Sequence, residues 1–225
     1  MKPFVFINSA AATQFVADQL VASARTAIAV HGQFTLALAG GSTPRALYEL
    51  LASSAYASQI DWAHTHIFWG DERCVPPDSD ESNYKMAKTA LLDHIPIPPA
   101  NIHRIKGELP PERAAAEYAA ELLPLDMILL GLGTDGHTAS LFPASPALHA
   151  HEMVVAVYQP TLPIPHRITL TPMAINQAKQ KIFLVTGAEK AHILHEVIDG
   201  PHQPEKYPAQ LISSAIWVVD TAEWA

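Results

Sequence analysis

Short, nearly unbroken apolar runs recur along the chain with amphipathic helical patterns between them, and that alternation limits the possible folds more than any other feature. The runs are Thr35 to Ala39, His66 to Trp69, Met127 to Leu130, Val154 to Val157, Ile182 to Val185 and Ile216 to Val219. Strands buried on both faces read this way, as they do in parallel sheets covered by helices. Thr13 to Val30 reads as an Ala-rich amphipathic helix, another starts at Pro44 and runs to Leu51, and Glu112 to Leu122 and Glu189 to Ile198 give two more. Alternating β and α segments point to a layered α/β fold around a mostly parallel sheet. Proline-rich stretches at Pro96 to Pro99 and Gln159 to Pro165 are short, so the expected organisation is one domain over residues 1–225.

Composition narrows the function classes. Charged residues make up 16% of the chain and hydrophobic ones 49%, and a charged share below the usual value of about 25% fits neither a disordered chain nor a solvated coiled coil. The 14 basic and 22 acidic residues leave a net charge of −8, which argues against nucleic acid or an anionic membrane as the main partner. An anionic ligand must then be held by a local site. A single cysteine, Cys74, rules out an internal disulfide and a cysteine-based zinc cluster. The Met1 to Ile7 run lacks the features of a secretory leader, and no later segment reaches about 18 uncharged apolar residues, so a cytoplasmic location is expected.

Three segments carry the candidate chemistry. In Leu36 to Arg45 an apolar strand runs into Gly40-Gly41-Ser42-Thr43-Pro44. Glycines there let a backbone approach an anion, Ser42 or Thr43 can cap the helix or bond the anion, and the helix start adds about half a positive charge. Pro44 suits the first helical position. The segment has neither dinucleotide-fingerprint spacing nor a P-loop lysine. The second, Ile67 to Pro76, ends its strand in Asp71-Glu72-Arg73, where open α/β sheets place ligands. In the third, Asp126 to Pro143, a strand breaks into a loop displaying Asp135 and His137 among glycines. An imidazole beside a carboxylate is a natural general base, the carboxylate fixing its tautomer. Downstream, Arg167 opens a short alternating segment, and Lys190 stands in the first turn of a helix, against the dipole, which suits an anionic ligand. Either cation could equally pair with a surface carboxylate.

Together these segments resemble the 6-phosphogluconolactonase family, within the larger group that also holds glucosamine-6-phosphate isomerase/deaminase. The matching blocks, in order, are Gly40-Gly41-Ser42-Thr43-Pro44, Asp71-Glu72-Arg73 with Glu81-Ser82-Asn83-Tyr84, Gly133-Thr134-Asp135-Gly136-His137-Thr138-Ala139-Ser140-Leu141-Phe142-Pro143, Arg167-Ile168-Thr169-Leu170-Thr171 and Gly187-Ala188-Glu189-Lys190. Gly-Gly-Ser, Asp-Glu-Arg and the Leu-Phe-Pro ending follow the lactonase pattern rather than that of the deaminase branch. The resemblance covers nearly the whole chain. It implies a Rossmann-like α/β/α fold and hydrolysis of 6-phospho-D-glucono-1,5-lactone to 6-phosphogluconate, the second step of the oxidative pentose phosphate pathway, without metal or organic cofactor. On that reading His137 and Asp135 are catalytic, while Gly40, Gly41, Ser42, Arg73, Arg167 and Lys190 bind the substrate and its phosphate. Loop N–H groups near Gly131 and Gly133 are candidates to face the oxyanion. The partner is a small phosphosugar lactone, with no nucleic acid and no membrane, and the chain is expected to be a monomer. Two alternatives stand beside it: a deaminase/isomerase-type phosphosugar enzyme, which would release ammonia from glucosamine-6-phosphate, and a non-catalytic phosphosugar-binding module. The presence of both Asp135 and His137 counts against the second.

Overall fold

The computed structural model describes residues 2–220; Met1 and residues 221–225, the two ends of the expected domain, lie outside the described residues. A short strand, β1 (Phe4–Phe6), leads into α1 (Ser9–His31). The helix starts before the expected Thr13 because Asn8 caps it, its side chain accepting from the Ala11 N–H at 2.9 Å. It ends at Gly32, whose φ of +85° suits glycine. Ala12, Val16, Leu20, Ala24 and Ala27 form its buried stripe. Next come β2 (Phe34–Leu38), α2 (Ser42–Leu51), β3 (Thr65–Trp69), β4 (Asp71–Arg73), α3 (Asn83–Ala90), α4 (Pro111–Glu121), β5 (Met127–Leu130), β6 (Val154–Tyr158), β7 (His166–Leu170), α5 (Pro172–Gln177), β8 (Gln180–Val185), α6 (Ala191–Ile198) and β9 (Ile216–Asp220).

Six strands form one parallel sheet in the order β1-β9-β8-β5-β2-β3. The expected α/β fold with a mostly parallel central sheet is therefore present. Val154 to Val157 is the exception: it lies in β6 of a separate antiparallel sheet, ordered β4-β7-β6. With Val155 and Ala156 half-buried and Tyr158 exposed, it lacks the continuous burial of the central parallel strands. The parallel sheet is held from within by cross-strand pairs such as Phe183 and Trp217, opposite each other in β8 and β9 with ring centroids 3.9 Å apart. Burial of each such side chain contributes roughly 1.5–3 kcal/mol.

The strand order fixes the location of the site. From β2 the chain moves to β3 on one side, while β5, β2's other neighbour, leads to β8 and β9 on the opposite side. Loops leaving the adjacent C-terminal ends of β2 and β5 therefore diverge and open a crevice, the usual binding position in open α/β sheets. Among the described residues no helix is long and apolar enough to cross a membrane.

Candidate active site

A cleft of about 350 Å³ fills that crevice. Its walls are the Gly40-Gly41 turn after β2, Asp71 and Arg73 of β4, the Gly131–Phe142 loop after β5 with His137, Arg167 of β7, and Lys190 at the start of α6. Six of the eight candidate residues thus line one cavity. Asp135 stands behind His137 rather than on the wall, and Ser42 lines a neighbouring groove with Thr43 and Thr186.

His137 is held tightly. Its Nδ1 lies 2.5 Å from Oδ1 of Asp135, which also accepts the His137 backbone N–H at 3.1 Å. A carboxylate only accepts, so Nδ1 carries the proton and Nε2 presents its lone pair. Among the described residues nothing else bonds the ring nitrogens. Burial raises the Asp135 carboxyl pKa, but the hydrogen bond and charge of His137 outweigh it and leave the group below its usual value. Gly133 makes the close approach possible: a Cβ there would lie 2.1 Å from Nδ1 of His137. The Gly133 N–H, a candidate oxyanion donor by sequence, is instead spent on the His137 carbonyl at 2.8 Å. Ala139, on the cleft wall, has a φ of +49°, a strained conformation for a residue with a side chain.

Two arginines share the opposite wall. The antiparallel register sets Arg73 directly across from Arg167. Desolvation, followed by the Arg73 charge, depresses the Arg167 pKa. Each guanidinium is anchored by a carbonyl: Arg73 donates to Glu81 O at 2.5 Å and Arg167 to Ile164 O at 3.0 Å. The nearest carboxylate ion pair is loose, Glu81 standing 3.8 Å from Arg73, and the Arg73 Nε–H is buried without a partner. Lys190 makes no ion pair among the described residues. Three cations lining one cleft, with a single loose ion pair among them, favour an anion there.

The turn after β2 differs in detail from the sequence expectation. α2 begins at Ser42, so Pro44 is its third residue rather than its first. Neither hydroxyl caps it: Gly41 is the N-cap, at φ +109°, and Thr43 bonds Thr186 at 2.8 Å. The helix start still offers unpaired backbone N–H groups, Ser42's among them. Gly40 is packed against Asn83, whose Oδ1 would lie 2.0 Å from an added Cβ.

Two cleft residues, Asp71 and Ser140, lie outside the set of expected site residues. Asp71 is 8% exposed and accepts from Ser140 Oγ at 2.6 Å and from Asn83 Nδ2 at 3.3 Å. Ser140 also donates its N–H to Thr169 Oγ1 at 3.2 Å, which pins the His137 loop to the antiparallel sheet. Glu72, on the other face of β4, accepts from Ser82 Oγ and from the N–H groups of Arg73, Asn83 and Tyr84, all within 2.9 Å. It caps α3 rather than facing ligand. Burial pushes its pKa up despite those donors. A polar residue at a strand end was the available signal for Asp71; nothing local marked Ser140. Cys74 lies outside the cleft, and burial raises its thiol to about 11, away from thiolate reactivity.

Over residues 7–219 the sequence matches the model of the family described as glucosamine-6-phosphate isomerases/6-phosphogluconolactonase. The chain belongs to that family. Within it, a 6-phosphogluconolactonase of Synechocystis is 43% identical over 213 residues, covering 86% of this chain and 85% of the relative. One from Haemophilus influenzae is 42% identical over 83% and 84% of the two chains. Among solved structures, 6-phosphogluconolactonase from Thermotoga maritima superposes with a TM-score of 0.85 at 29% identity, covering 98% of this chain and 100% of that one. A monomeric glucosamine-6-phosphate deaminase, 20% identical with a TM-score of 0.85, shares the fold.

Proposed function

We propose that this family member hydrolyses 6-phospho-D-glucono-1,5-lactone to 6-phosphogluconate, as a single cytoplasmic domain that acts as a monomer. The observation that carries the reading is one cleft lined by a carboxylate-oriented imidazole, by two arginines facing each other across a strand pair, and by Lys190. The phosphate lies against Arg73, Arg167 and Lys190, with the Gly40-Gly41 turn and the Ser42 N–H completing its cradle. The lactone carbonyl then sits toward His137. Nε2 takes a proton from water as the water oxygen bonds to C1, and the charge that develops on Nδ1–H is met by Asp135. As the tetrahedral species collapses, the C1–O5 bond breaks and the imidazolium returns its proton to O5. The acid product then ionises. Proton count balances, and the chemistry of these side chains requires neither metal nor organic cofactor.

The test is hydrolysis of 6-phosphogluconolactone by purified protein, measured above the spontaneous opening of the lactone with a heat-killed control. A rate clearly in excess supports the reading. No excess, or release of ammonia from glucosamine-6-phosphate, overturns it.

A further inference from the structure

His137 and Lys190 come from separate segments, so the distance between base and phosphate cation depends on what joins them. A stretch ahead of β9 touches both. Its Glu205 carbonyl accepts the Ala144 N–H at 2.9 Å, and its Ala209 N–H donates to the Gly136 carbonyl at 3.0 Å, one residue before His137. Between these ties the buried Tyr207 packs closely against Gly136: an added Cβ at that glycine would lie 2.8 Å from Cδ1 and 3.1 Å from Cα of Tyr207. The same residue reaches the other way. Its hydroxyl donates to Oε2 of Glu196 at 2.7 Å, and Gln210 bonds the Val197 carbonyl at 3.1 Å. Both acceptors belong to α6, whose N-cap is Lys190.

We propose that Tyr207 is a positioning residue that holds the His137 loop and the Lys190-bearing helix in a single register, ring against the one and hydroxyl against the other. The inference rests on the lactonase reading of the cleft. A helix and a loop joined by one rigid side chain keep the phosphate anchor and the base at a fixed separation, and that fixed separation places C1 in reach of Nε2.

Two features separate this role from plain packing. The hydroxyl acts on α6 and so on phosphate affinity, while the ring acts on the loop and so on turnover. In the full chain, Tyr207→Phe and Glu196→Ala should each raise KM for 6-phosphogluconolactone by about tenfold, within the range for coupling through packed networks. Their double variant should show no further loss, because both remove the same bond. On gluconolactone, which lacks the phosphate, KM should shift far less. Tyr207→Ala should also lower kcat on both lactones. Tyr207→Phe with unchanged KM, equal losses on both lactones, or losses that multiply in the double variant would each overturn the proposal. Calorimetric binding of 6-phosphogluconate gives the same comparison without turnover. A wild type that binds it without catalysis would count against the lactonase reading, and weaker binding by Tyr207→Phe would still support the tie.

Discussion

Arg73 and Arg167 stand opposite each other across the β4–β7 ladder, an arrangement that sheet energetics disfavours by about 0.2–1 kcal/mol for like charges. Their same-face neighbours, two residues along each strand, are Asp71 and Thr169, themselves a facing pair. Among the described residues the one carboxylate ion pair the two arginines make is Arg73 with Glu81, 3.8 Å apart, while Asp71, Glu72 and Glu81 act on Arg167 through their charges. An anion bridging the pair would relieve the repulsion, and the proposed phosphate site places one there.

Neutralising either arginine, as Arg73→Gln or Arg167→Gln, should therefore weaken use of the phosphorylated lactone by about 10–150-fold, the equivalent of 1.5–3 kcal/mol for a hydrogen bond to a charged group. The loss should fall mainly on KM, and gluconolactone should be little affected. Thermal melts give a second check: 6-phosphogluconate should raise the wild-type Tm, and much less that of either variant. Equal losses on both lactones would move that arginine to the lactone end or to the fold.

His137→Ala should lower kcat by roughly 10²–10⁴-fold, the usual worth of a general base, with little change in 6-phosphogluconate binding. Asp135→Asn should lower it by less, since the base survives with its tautomer no longer fixed. Cys74→Ser should stay active because its half-buried thiol lies outside the cleft. A near-normal rate in His137→Ala would place the base elsewhere, and an inactive but folded Cys74→Ser would point to the thiol as a nucleophile.

The shape of the Gly131–Phe142 loop yields a finer expectation. In Gly133→Ala the new methyl would meet the His137 ring at 2.1 Å and Asp135 Oδ1 at 2.8 Å, so the imidazole must move. A shift of about 1 Å can cost on the order of 10²-fold in rate. The variant should lose kcat on both lactones while keeping phosphate affinity, and kcat within twofold of wild type would mean the loop absorbs the methyl without moving the base.

Local chemistry was legible in the sequence where a segment supplies its own partner. Asp135 and His137 are two residues apart and form their bond within one loop, and buried runs such as Leu36 to Leu38 needed no partner to read as strands. What could not be read is register between distant segments. No local signal says that Arg73 faces Arg167, 94 positions on by residue number, nor that Ser140 clamps Asp71. The same limit explains Ser42, whose side chain is turned out of the cleft because α2 begins at that residue rather than at Pro44. It explains Glu72 as well: α3 is capped from β4, so a carboxylate that reads as part of a polar site cluster is consumed by backbone N–H groups.

Stability should depend on a carboxylate at the far end of the sheet. Asp126, just ahead of β5, is 5% exposed; it accepts from the Thr35 N–H at 2.9 Å and from Lys179 Nζ at 2.7 Å, with His31 Nε2 at 3.0 Å. Burial raises its pKa, but the Lys179 and Thr35 hydrogen bonds and the His31 charge together outweigh burial, leaving it below the usual 3.8. A carboxyl with a depressed folded-state pKa contributes stability that is complete above the unfolded value and is lost as pH falls through the folded one. Wild type should therefore lose stability to urea as pH drops below about 4. Asp126→Asn has no proton to take up there; it should start about 1–3 kcal/mol less stable at neutral pH and decline less steeply in acid. Lactone hydrolysis at neutral pH should persist, since the cleft lies at the opposite ends of the strands. Urea titrations of both proteins between pH 7 and pH 3 make the comparison, and parallel acid declines would assign the sensitivity to other carboxylates.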